Sequence, residues 1–157
     1  MRRLVLIFVA ALPCISFAAE PELMIHDPYV RLAPPNAPAT GAFMVIMNTG
    51  KEDRKLLKAE SPAAKTVELH NHINDNGVMK MREVTNIDIK ANGQAELKPG
   101  SYHVMLIGMH QPLKEGDAIP ITLSFDDGSK LQISAPVRKN QIPMHGDKPM
   151  EHGGMKH

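Results

Sequence analysis

The stretch TVELHNHINDNGVMKMREV, Thr66 to Val84, carries the clearest structural signal in the chain. Before Asn76-Gly77, Val67, Leu69 and Ile73 fall at a period of two among polar side chains, and after it Met79 and Met81 do so, the pattern of a half-buried strand. A two-residue hairpin turn of type I′ needs positive φ at both central positions. Asn followed by Gly meets that need at the least steric cost. The two runs are therefore expected to fold against each other as an antiparallel hairpin.

Similar short runs flank this one. Strands are expected at Met24–Leu32, Ala42–Asn48, Lys55–Glu60, Thr66–His72, Val78–Val84, Ala95–Leu97, Tyr102–Met109, Ile119–Ser124 and Leu131–Val137. Turn clusters separate them, among them Ala33-Pro34-Pro35-Asn36, Asn48-Thr49-Gly50, Lys98-Pro99-Gly100 and Asp126-Asp127-Gly128. Strands spaced about ten residues apart, with little helical periodicity, indicate an all-β antiparallel sandwich or Greek-key barrel. No internal repeat is visible.

The two ends read differently. MRRLVLIFVAALPCISFAAE begins with Arg2 and Arg3 and continues into an apolar run too short to span a bilayer. Ser16-Phe17-Ala18 is a small-x-small cleavage site, so residues 1–18 read as a secretory signal and the mature chain starts at Ala19. Cys14 raises lipidation, which Pro13 directly before it fits poorly; the cysteine is expected to leave with the signal. Residues 19–138 form the expected folded domain. From Lys139 to His157 the alternation stops and Gly, Pro and charge take over, the composition of a disordered tail.

Composition narrows the chemistry. Charge is nearly balanced, with Lys+Arg 18 against Asp+Glu 17, which gives no footprint for nucleic acid. Trp is absent and there is one Cys, so a disulfide scaffold and a thiolate zinc site are disfavoured. The unusual counts are 11 Met and 8 His. No nucleophile elbow, phosphate loop or pair of catalytic acids is evident, so no enzyme is expected.

Four residues stand out: His70, Met81, His103 and Met105. His103 and Met105 are two apart on one strand and project from the same face. The hairpin brings the strand of His70 beside that of Met81. Thioether sulfur is soft and uncharged and favours Cu(I), and imidazole accepts copper in either oxidation state. Zinc sites use Cys, His or carboxylate instead. The plainer alternative stays open on residue types alone: Met in strands is commonly core filler, and a lone strand His is commonly structural. Met44 and Met47 are assigned to the core, and His26 and His110 to structure or surface.

The spacing His70–x10–Met81–x21–His103–x–Met105 resembles the motif of the PCu(A)C-type periplasmic copper chaperones. Val67-Glu68-Leu69-His70, Gly77-Val78-Met79-Lys80-Met81-Arg82, Leu97-Lys98-Pro99-Gly100, Tyr102-His103-Val104-Met105-Leu106 and Pro112-Leu113-Lys114-Glu115-Gly116-Asp117 match its context. The resemblance runs from about Asp27 to Pro136. It implies a cupredoxin-like Greek-key fold and a His2Met2 Cu(I) site at His70, Met81, His103 and Met105. With the signal at residues 1–18, the chain is expected as a periplasmic monomer, without membrane insertion after signal cleavage. This monomer would supply copper to the CuA centre of cytochrome c oxidase, with oxidase subunit II or another copper chaperone as recipient. His72 and Met79 fall outside the four-residue pattern and are expected as neighbours of the site.

The tail offers a second set of donors in Met144, His145, Met150, His152, Met155 and His157. A short His-rich tract can bind metal, and this one is expected to take Cu(II). Blue-copper electron transfer needs a Cys ligand, which the mature chain would lack. Copper sequestration for tolerance is the alternative to delivery, and the residues do not separate the two.

Overall fold

The structure is a computed structural model, and it describes residues 22–139. Among these residues there is no helix. Ten strands follow in order: β1 (Leu23–Arg31), β2 (Ala39–Asn48), β3 (Arg54–Glu60), β4 (Ala64–Asp75), β5 (Val78–Glu83), β6 (Ile87–Ile89), β7 (Gly93–Leu97), β8 (His103–Met109), β9 (Ala118–Phe125) and β10 (Lys130–Arg138). Each of the nine expected strands is present, several of them longer than expected. β6 is additional.

The strands pair in the order β5-β4-β8-β2-β1-β10-β9-β3-β6, with β7 beside β2. All pairings are antiparallel except β1 with β10, where Val30 faces Val137. That parallel pair joins two layers into a sandwich. Alternation supplies the core between them. In β9, Ile119, Ile121, Leu123 and Phe125 point inward, and in β8 Val104 and Leu106 do so. Ile46, Leu56, Ile87 and Ile89 complete the interior. Burying each such side chain contributes about 1.5–3 kcal/mol.

The hairpin expected at Asn76-Gly77 forms. Asn76 has φ 52° and Gly77 φ 83°, and Asp75 pairs with Val78. The Asn74 side-chain oxygen accepts the Gly77 N–H at 2.8 Å, closing the turn. β5 is an edge strand, exposed along its whole length.

β7 and β8 pair in succession along the same side of β2. Met44 faces Leu97 and Ala42 faces Val104. Between them the chain leaves the ladder at Lys98–Tyr102 and loops out over the sheet. Gly100, with φ 80°, makes that turn, and Ser101 N–H closes it onto the Lys98 carbonyl at 3.0 Å.

Met44 is buried in the core as expected, but Met47 is only half-buried. Ala42, Met44 and Ile46 share the inner face of β2, and Met47 has the opposite parity. His26 and His110 are exposed, in keeping with a surface assignment.

Candidate metal centre

The strand parity that builds the core also builds a site on the other side of the same sheet. Val104 and Leu106 face inward on β8, so His103 and Met105 face outward. Register carries this across the neighbouring strands. His70 is directly opposite His103, Glu68 opposite Met105, His72 opposite Met81, and Gly41 opposite Met105 on the other side. Directly opposed residues of an antiparallel pair project to one face with Cβ atoms about 5 Å apart. One sheet face therefore gathers Glu68, His70, His72, Met81, His103 and Met105.

A cavity of about 250 Å³ opens on this face, lined by His72, Met81, His103 and Met105 together with Arg31, Gly41, Phe43, Pro99 and Gly100. Pro99 and Gly100 come from the loop between β7 and β8. Phe43 forms the opposite wall, its ring 6.1 Å from the His103 ring and 5.2 Å from that of Tyr29. The Arg31 guanidinium lies 5.0 Å from the Phe43 centroid, within cation–π range. This cover explains how His103, on an outer sheet face, is only 2% exposed. Met105 and His72 are half-buried, and Met81, on the edge strand, is 45% exposed.

Two of the imidazoles are oriented by their neighbours. His103 Nδ1 lies 3.0 Å from the Ser101 carbonyl oxygen. A carbonyl only accepts, so Nδ1 carries the proton and Nε2 keeps its lone pair. His70 Nε2 lies 2.7 Å from the Glu68 carboxylate. With Nε2 donating to the carboxylate, the lone pair sits on Nδ1, the arrangement in which an outer carboxylate sets the tautomer of a metal-binding histidine. His70 Nδ1 and His72 Nδ1 are both buried without a hydrogen-bond partner. A buried polar atom left unmet costs about 1–3 kcal/mol, so two of them beside one cavity fit a site made for a ligand.

Burial pushes the His103 imidazole below its usual pKa, and nearby His72 and His70 push in the same direction, against the Ser101 carbonyl. A neutral ring is the form that binds a metal. No group of three or more His, Cys, Asp or Glu side chains is arranged to hold a metal among the described residues. Met81 and Met105 add two thioether donors to the imidazoles on this face.

Of the four residues singled out by spacing, Met81, His103 and Met105 line the cavity. His70 stands beside it, across from His103 with ring centroids 5.8 Å apart, and is held by Glu68. His72, expected only as a neighbour, lines the cavity, with its ring 5.2 Å from that of His103. Met79 shares the face but is 55% exposed. Phe43, Gly41 and Glu68 were not singled out from sequence, although Glu68 sits two residues before His70 on the same strand face. The tail donors Met144, His145, Met150, His152, Met155 and His157, and residues 1–18, lie outside the described residues.

A family model described as "Putative lipoprotein LpqE-like" matches residues 23–137. "Putative lipoprotein Lxx21020" of Leifsonia xyli subsp. xyli is 37% identical over 100 residues, 63% of this chain and 60% of that protein. The matched part thus spans less than two thirds of that relative. Among solved structures, Cu(I)-bound DR1885 from Deinococcus radiodurans is 33% identical, with TM-score 0.64, covering 78% of this chain and 82% of that one. The copper-bound PCuAC domain from PmoF2 shares the fold at TM-score 0.65 and 20% identity, covering 78% of this chain and 97% of that one. These findings agree with the PCu(A)C-type resemblance read from the motifs and with the expected all-β sandwich.

Proposed function

The chain belongs to the LpqE-like family, and from that premise we propose that it is a copper chaperone that carries Cu(I) at the site formed by β4, β5 and β8. The observation that supports this reading is the cavity in which Met81 and Met105 meet the His103 imidazole, beside two buried imidazole nitrogens without partners. Two uncharged thioethers and neutral imidazoles form a donor set suited to Cu(I). His70, Met81, His103 and Met105 make up the His2Met2 set. The DR1885 relative is solved with Cu(I).

Copper is cargo here, not a resident cofactor. Transfer proceeds by ligand exchange: an incoming thiolate or imidazole enters the shell as a thioether leaves, and no covalent bond of a substrate breaks. The protein is thus a carrier and not an enzyme. The signal-like residues 1–18, together with the lipoprotein names of the family and of its Leifsonia relative, support export, with the periplasm as the working compartment. The absence of cysteine after the signal suits an oxidising compartment, where a thiolate pair would form a disulfide. The CuA centre of cytochrome c oxidase is the proposed destination. The tail donors from Met144 to His157 are proposed to capture Cu(II).

Competition against a chromogenic Cu(I) chelator tests the core site. The full chain is expected to bind one Cu(I), and His103→Ala/Met105→Ala to lose it; retained affinity in that variant refutes the assignment. A chain ending at Val137 should keep the Cu(I) equivalent in this titration and lose Cu(II) in a separate Cu(II) titration. Unchanged Cu(II) stoichiometry refutes the role given to the tail.

A further inference from the structure

We propose that His72 is a copper ligand in its own right, interchangeable with His70, so that either imidazole completes the set formed by Met81, His103 and Met105. The inference rests on the Cu(I) reading above and goes beyond its four-residue set. Three observations carry it. His72 is directly opposite Met81 in the β4–β5 register, whereas His70 is opposite Glu83. His72 lines the cavity with Met81, His103 and Met105, and His70 does not. Its Nδ1 is buried with no partner, as is that of His70.

The two imidazoles serve in turn. Their rings lie 5.8 Å (His70) and 5.2 Å (His72) from that of His103, yet no three such side chains converge on one point among the described residues. A Cu(I) ion holding Met81, His103 and Met105 has room for one more imidazole, and two are within reach on the same strand face. Glu68 holds His70 through Nε2 and so sets its tautomer. His72 has no such tether, and it stands one pleat nearer the hairpin end of β4, where Met79 and Met81 are exposed. Exchange from His70 to His72 keeps Met81, His103 and Met105 and shifts the fourth contact one pleat along β4 toward its hairpin end, without any change in donor type. That displacement is the first half of a hand-off.

The test uses the full-length protein with His70→Ala, His72→Ala and the double variant, each checked for folding by circular dichroism. Cu(I) affinity is measured by chelator competition. Each single variant is expected to stay within about tenfold of wild type, because the remaining imidazole takes over, and the double variant to fall by 100-fold or more. If His70→Ala alone falls as far as the double variant while His72→Ala matches wild type, the proposal is overturned. A measurement on the unaltered protein guards against misfolded variants. Imidazole ¹⁵N resonances are recorded with and without one equivalent of Cu(I), and the signals of both His70 Nδ1 and His72 Nδ1 are expected to shift. An unmoved His72 signal alongside a shifted His103 signal overturns the inference and leaves the chaperone reading intact. Absence of any Cu(I)-dependent shift at His70, His72 and His103 overturns both.

Discussion

Gly41→Ala probes how tightly the wall of the site is set. Gly41 lies directly across from Met105, and the Phe43 ring folds back over it. A Cβ at position 41 would stand 2.8 Å from Phe43 Cζ and 3.2 Å from Cε2, well inside the roughly 3.5–4 Å at which carbon atoms pack. The ring is held by neighbours on three sides, and its way out is toward the cavity it lines with His103. It is 3% exposed, with Tyr29 on one side, Arg31 over its face and His103 beyond. Overpacking of a well-filled site costs about 1–3 kcal/mol, and confinement on three sides places this case in the upper half, about 2–3 kcal/mol. At about 4 °C per kcal/mol for a domain of this size, the melting temperature should drop by roughly 8–12 °C. The ring yields toward His103, so Cu(I) affinity should fall with stability. Thermal melts of Gly41→Ala, Phe43→Leu and the double variant supply the check. Leucine lacks the ring atoms that clash, so the double variant should cost at least about 1 kcal/mol less than the two single changes added together. Strict additivity, or an alanine variant that melts and binds Cu(I) as wild type does, would refute the account of the wall.

Two further outcomes follow from the scaffold. Asn48, 1% exposed, donates from Nδ2 to the Glu52 carbonyl at 2.8 Å and the Ile89 carbonyl at 3.3 Å, and its Oδ1 accepts the Gly50 N–H at 3.0 Å. Asn48→Ala should lose about 4 kcal/mol or more in urea unfolding, from about 1 kcal/mol for each of the three bonds plus at least about 1 kcal/mol for the unmet buried carbonyl; a loss below about 1 kcal/mol contradicts this. The apo domain should also weaken in acid. Bonds from the Ser129 hydroxyl and N–H hold the Asp127 carboxyl below its usual range, Lys90 and the Ala91 N–H do so for Asp53, and Lys58 for Glu60. With folded values below unfolded ones, the unfolded chain binds more protons as pH falls. The stability these groups contribute is thus present above about pH 4 and lost as pH drops through the folded values. Urea midpoints should fall between pH 6 and pH 3, and less steeply in Asp53→Asn/Asp127→Asn. Equal pH dependence in the two proteins would exclude these carboxylates as the cause.

The period-two signal was strong enough to locate nearly every strand and the Asn76-Gly77 turn, because alternation and a positive-φ turn are local properties. Ile87-Asp88-Ile89 is not legible as a strand because three residues hold too few alternations to read, and pairing with Arg54–Leu56 is what makes them a strand. Met47 went astray for a related reason. An apolar run shows that a strand is covered but not which parity faces the core, and only the partner strands settle that. The site was legible as a set of residue types on one face. The distinction between His70 and His72 was not, since both share one parity of one strand. Glu68 and the Pro99–Gly100 loop separate them, and that loop reaches the site only because β7 and β8 both pair with β2.

The carrier role proposed above requires release of copper without unfolding, and the placement of this site on the outer face of the sheet bears directly on that need. Leu69, Val104 and Leu106 pack inward from the same strands that present His70, His103 and Met105 outward. The core therefore persists whether or not the outer side chains are engaged. Exposure rises across the site, from His103 at 2% to Met81 at 45% on the edge strand. An incoming ligand meets the most accessible donor first, and that donor is a thioether, which carries no charge and needs no proton when it leaves. On the proposed chaperone reading, buried imidazole at one end and exposed thioether at the other would give the exchange a direction, outward through β5.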